Sequence, residues 1–140
     1  MVQPVAISYD PLTTGRVRAY ISVAAPIVTS RTPDPPAGAT APAPLDGRVT
    51  DALRRAVPLT AGQIAAAVLR DGGSSRALQR AGAEWVARAQ AHGRPIEPDL
   101  LGGRRRPVLA QAFTRARRRG AADGLIRALA QELRSANTPS

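Results

Sequence analysis

The stretch at 32–45, TPDPPAGATAPAPL, restricts this chain more than any other. Each of its prolines removes a backbone donor and fixes φ, so neither a helix nor an interior strand can run across it. It reads as an extended, polyproline-like, semi-rigid tether, a plain linker or a proline-rich docking ligand. The residues on its two sides follow different periods.

Before the tether the period is two. Val5, Ile7 and Tyr9 alternate with small or polar neighbours, and so do Val17, Ala19, Ile21 and Val23. Between the runs lies DPLTTG, where proline presets one turn angle and Gly15 permits positive φ. The pattern predicts a β-hairpin over 4–10 and 15–24. Arg16, Arg18 and Tyr20 fall on the other face of the second strand. A lone two-stranded hairpin is marginal in water. Its apolar face is expected to cover the chain's own helices, with strand addition to a partner as the alternative.

After the tether the period is helical, cut by glycine and proline. Val49, Ala52, Leu53, Ala56 and Val57 share one face and end at Pro58. Thr60 is a candidate N-cap for a helix to Arg70 that is apolar nearly all round, as a helix packed on several sides should be. Ser74 or Ser75 opens a third helix to Ala91, with Trp85 expected as the largest core side chain. Its other use would be stacking on a base. His92 sits in the last turn, where the helix dipole favours it. Pro107 suits the first position of a fourth helix with Leu109, Ala112, Phe113 and Ala116 buried. A fifth, over 121–135, buries Ala122, Leu125, Ile126, Leu129 and Leu133, and 136–140 should fray. The expected fold is mainly α: a bundle of about five helices with an N-terminal β-hairpin and a proline-rich tether. The expected divisions are a hairpin arm at 1–31, the linker at 32–46 and a basic helical domain at 47–140.

Charge then separates the parts. The net charge is +10, from 20 basic and 10 acidic residues, and every base is arginine. A GC-rich genome would explain arginine in place of lysine, as would arginine's planar fork for phosphates and carboxylates, but base composition does not explain the excess. Arg16, Arg18 and Arg31 cancel Asp10, Asp34 and Asp46, so 47–140 carries the whole +10. Seven arginines fall within 104–119, RRRPVLAQAFTRARRR, and no acid occurs from 100 to 122. Solubility needs only about 2–8 interspersed net charges, so an unmixed block points to a polyanion. Arg104, Arg105 and Arg106 are placed in a loop before the fourth helix, and Arg115, Arg117, Arg118 and Arg119 on it. All seven are candidate phosphate contacts.

A second candidate is QIAAAVLRDGGSSRALQR, which has part of the layout of a helix-turn-helix. Arg76, Gln79 and Arg80 open its second helix, where such residues read base edges. Its spacing departs from the usual one: Leu69 stands where the turn glycine belongs, four residues after Ala65. Other chemistry is sparse. With no cysteine and one histidine there is no disulfide, thiolate site or histidine-rich zinc site. Glu97 and Asp99 lack a third ligand nearby, and with the arginine block following at once they read as local ion-pair partners of it. No Walker, dinucleotide, nucleophile-elbow or HExxH motif occurs, so neither an enzyme nor a cofactor or metal is expected.

No apolar run nears the ~18 residues of a spanning helix. The N-terminus lacks the basic and apolar regions of a signal peptide, so a cytoplasmic or virion location without membrane contact is expected. The first functional expectation is non-enzymatic nucleic-acid binding through arginines, with DNA ahead of RNA. The alternative is a structural adaptor in a large assembly, such as a phage head, neck or tail, whose hairpin and tether dock on neighbouring subunits.

Overall fold

The computed structural model describes residues 1–14, 16, 18–27 and 45–135, with residues 45 and 46 described through their backbone. Val17, the 32–44 tether and the 136–140 end lie outside the described residues. In chain order come β1 (Val5–Asp10), β2 (Arg18–Val23), α1 (Leu45–Ala56), α2 (Ala61–Arg70), α3 (Ser75–Ala91), a 3-10 turn (Pro98–Leu100), α4 (Arg105–Arg119) and α5 (Gly124–Ser135). The protein is mainly α with an N-terminal antiparallel hairpin, as its periodicities predict.

The central element is α2. Every residue from 61 to 68 is buried, which suits its alanine-rich, all-round apolar sequence. Its start is fixed by a capping box: the Thr60 hydroxyl accepts from Gln63 N, and the Gln63 side chain accepts from Thr60 N. α5 and α4 pack broadly against it, and α3 closes another side. Leu59, Ile64, Leu78, Leu100, Leu109, Ile126, Leu129 and Leu133 are fully buried around it. Each contributes about 1.5–3 kcal/mol relative to exposure. Gly82 lets α3 approach α4 closely, because a Cβ there would overlap the Leu109 side chain.

α1 begins at Leu45, inside the stretch expected as linker, and two later helix starts also differ from expectation. α4 begins at Arg105, so Pro107 is its third residue and Arg105 and Arg106 lie in its first turn. The first N–H groups of a helix have no intrahelical acceptor, so proline is tolerated throughout that turn and does not mark its first residue. α5 begins at Gly124 because the Asp123 carboxylate accepts from Leu125 N and Ile126 N at 2.9 and 3.4 Å. Trp85 is only partly buried, at the margin of the core, with the Arg88 guanidinium 5.1 Å above its ring.

The hairpin packs on the helices the opposite way round from the expectation. In register Val5 pairs with Val23, Ile7 with Ile21 and Tyr9 with Ala19. These rungs face outward, whereas Ala6, Ser8 and Asp10 are buried. Polar contacts decide the orientation. Asp10 accepts from Leu12 N, Thr13 N and the Thr13 hydroxyl, which shapes the turn. The Thr13 hydroxyl oxygen accepts from Gly62 N in the first turn of α2. Leu12, from the turn and not from a strand, enters the common core at 2% exposure. The Asp10 carboxylate therefore sits at the positive end of α2, where an anion is favoured. Only glycine at 62 leaves room for it.

Candidate nucleic-acid interface

The arginine block of 104–119 does not form one surface. Arg115 NH1 donates to Leu12 O at 2.7 Å and Thr13 O at 2.9 Å, so this arginine pins the hairpin turn to α4. Arg119 lies 3.6 Å from Asp123, one turn further on. Arg117 covers the buried Phe113 ring at 4.3 Å. Arg118 projects from the exposed side. It stands about 18 Å along the axis from Arg106, at 1.5 Å per residue.

The other half of the block meets α3. Gln79 Nε2 donates to Arg106 O at 3.2 Å, and Gly82 packs against Leu109. These contacts share one sequence offset, so the first halves of α3 and α4 run alongside each other in the same direction. Arg76 and Arg80 are exposed on α3, Arg104 and Arg106 are exposed at the start of α4, and Arg105 is half-buried. Among the described residues none of these five is in an ion pair. Neither helix has an acid in its first turn, and α4 has no side-chain cap, its N-cap being Arg104. Cations at a helix N-terminus oppose its dipole by about 0.3–1 kcal/mol each. The start of α4 therefore carries an electrostatic cost that a bound anion would relieve.

One N–H of the Gln79 amide is engaged by the Arg106 carbonyl. α2, the first helix of the suspected helix-turn-helix, is the buried centre of the bundle. The turn chemistry between α2 and α3 is nevertheless as expected: Gly72 takes φ 71°, and Ser74 caps α3 through Ala77 N at 3.3 Å.

Two charged groups with structural work were not legible in the sequence. Arg94, 6% exposed, donates to Val57 O, Leu133 O and Gln63 Oε1 at 3.2, 3.3 and 3.0 Å. Burial pushes its pKa down to about 10. Glu97, 2% exposed, pairs across the fold with Arg18 of β2, not with the arginine block that follows it. Asp99 lies 3.8 Å from the same guanidinium. Burial, reinforced by Asp99, outweighs Arg18 and pushes Glu97 up to about 7. Its Oε2 and the Tyr20 hydroxyl are buried without a hydrogen-bond partner among the described residues. Burial, then the field of Glu97, raises Tyr20 to about 12.

Among the described residues no group of three or more His, Cys, Asp or Glu could hold a metal ion. None of their helices is long and apolar enough to cross a membrane. Comparison with protein-family models, curated proteins and solved structures gives no match, so the surface has to be read from its own geometry.

Proposed function

We propose that this protein binds nucleic acid without catalysis, through phosphate contacts from Arg76, Arg80, Arg104, Arg105 and Arg106. The observation that carries the reading is the side-by-side start of α3 and α4. It gathers these arginines on a packed scaffold with no ion pair among them. Arg118, with Arg117 beside it, extends the contact along α4. Arg115 belongs to the fold and Arg119 is shared with Asp123, so neither is a main contact. Through these phosphate contacts the interface positions the duplex by its backbone. Duplex DNA is the first ligand to test.

The test is the salt dependence of binding to a labelled duplex, followed by fluorescence anisotropy. Five to six phosphate contacts give a log–log slope of about −5, at −0.9 per phosphate. Replacing Arg104, Arg105 and Arg106 by glutamine should make that slope shallower by about 2–3. No binding at low salt, or an unchanged slope, would overturn the reading.

A second reading, an adaptor subunit of a larger assembly, is favoured by one observation: the apolar face of the hairpin is turned away from the protein's own core.

A further inference from the structure

The outward face of the hairpin gathers five of the seven large hydrophobic side chains that are exposed among the described residues. Val5, Ile7, Tyr9, Ile21 and Val23 are 47, 57, 57, 70 and 64% exposed. Ala19 completes the third rung and is exposed too. The face contains no charge. It is anchored from behind, because Thr13, Arg18 and Arg115 fasten the other side to α2, the 97–99 loop and α4. An apolar face on a rigidly anchored sheet costs little ordering entropy when it is covered.

We propose that this face binds the same face of a second copy of the chain, giving a two-fold dimer with the two hairpins stacked sheet on sheet. The proposal does not rest on nucleic-acid binding.

Three observations favour a second copy as the occupant. The first is charge. Two chains of +10 repel, yet residues 1–46 sum to zero. Within that stretch the hairpin itself carries only Arg16 and Arg18 against Asp10, a net +1, so it is the part of the molecule on which two copies can meet with least repulsion. The second is area. The exposed surface of these residues is roughly 600 Å² per copy, so a pair buries at most about 1,200 Å², the lower end of stable interfaces. A dissociation constant in the micromolar range is expected at that size. The third is shape. A two-fold axis parallel to the strands lays β1 of one copy over β2 of the other, at the same height. Each β1 residue then covers its own register partner on the second copy: Ile7 over Ile21, Val5 over Val23, and the large Tyr9 over the small Ala19. A two-fold interface must be self-complementary in this way. The Tyr9–Ala19 rung, large on small, lets the two sheets interdigitate there at their ~10 Å separation.

The experiment is light scattering coupled to size exclusion on the full chain, at about 1–200 µM and in enough salt to screen the net charge. Wild type should pass from monomer to dimer within that range. Ile21→Glu should stay monomeric throughout, and its thermal midpoint at low concentration should be unchanged because Ile21 is exposed in the monomer. Ile21→Thr, which keeps a β-branched side chain, should weaken the dimer by about tenfold, so that a folding defect in the glutamate variant cannot decide the result. Ala19→Tyr should abolish the dimer by overfilling the rung, and Tyr9→Ala/Ala19→Tyr should restore it. A wild type that stays monomeric up to the highest concentration would overturn the proposal. So would a dimer that survives Ile21→Glu, since edge-to-edge strand pairing would be indifferent to a side chain on the face.

Discussion

Replacing Arg115 by alanine tests whether the arginine block divides into fold and surface as described. The Arg115 guanidinium holds two carbonyls of the hairpin turn, Leu12 O at 2.7 Å and Thr13 O at 2.9 Å. Hydrogen bonds from a charged donor contribute about 1.5–3 kcal/mol each. The site is half-buried, so water recovers part of the loss, and about 2–3 kcal/mol of net destabilisation is expected. For a chain of this size that lowers the thermal midpoint by roughly 6–12 °C. Circular dichroism during heating gives the midpoint. Amide hydrogen exchange should show protection lost first in β1 and β2, which Arg115 anchors, before α2. Duplex binding measured well below the midpoint should change little. A midpoint within about a degree of wild type would refute the anchoring role. So would a selective loss of DNA binding with stability intact, which would return Arg115 to the surface.

Two further outcomes follow from the buried polar groups. Glu97 has a folded-state pKa of about 7 against an ordinary 4.5, so the folded state holds its proton more tightly than the unfolded state does. Its contribution to stability is therefore lost as pH rises from about 4.5 through about 7, by roughly 3 kcal/mol. Urea unfolding at several pH values should show wild type losing stability relative to Glu97→Gln across that window; parallel curves would contradict this. Gly62→Ala gains about 1 kcal/mol of helix propensity. It should still destabilise by about 1–2 kcal/mol, because overfilling the contact with Asp10 costs more. Asp10→Ala in the same chain should recover part of that loss, and strictly additive effects would show that the two residues do not meet.

The helical part of the fold was legible because its signals are local. Thr60, Ser74, Gly72 and Gly120 punctuate helices whose apolar faces repeat at helical spacing, and each decision is made within a few residues. The hairpin was legible as an element but not in its orientation. Alternation says that Val5, Ile7 and Tyr9 share a face, not which face meets the helices. That was settled by Thr13 and Arg18 finding partners some 50 to 100 positions away, at Gly62, Arg115 and Glu97. The candidate site was legible as a charge excess only. Sequence spacing cannot show that Arg76 and Arg80 lie beside Arg104–Arg106, nor that Arg115 is spent on two backbone carbonyls. Arg94 gave no sign of its burial, since nothing in a loop between Gly93 and Pro95 says that the side chain turns inward to meet Gln63 and the end of α5.

The adjoining starts of α3 and α4 are the proposed nucleic-acid surface. Heteronuclear NMR of the labelled chain, observing backbone amides and arginine Nε–Hε groups while a short duplex is titrated in, tests it most directly. The largest shifts should fall on residues 75–80 and 104–108 and on the Nε–Hε groups of Arg76, Arg80, Arg104, Arg105 and Arg106, while Arg94 and Arg115 stay in place. Shifts confined to β1 and β2, or spread evenly over all arginines, would contradict it.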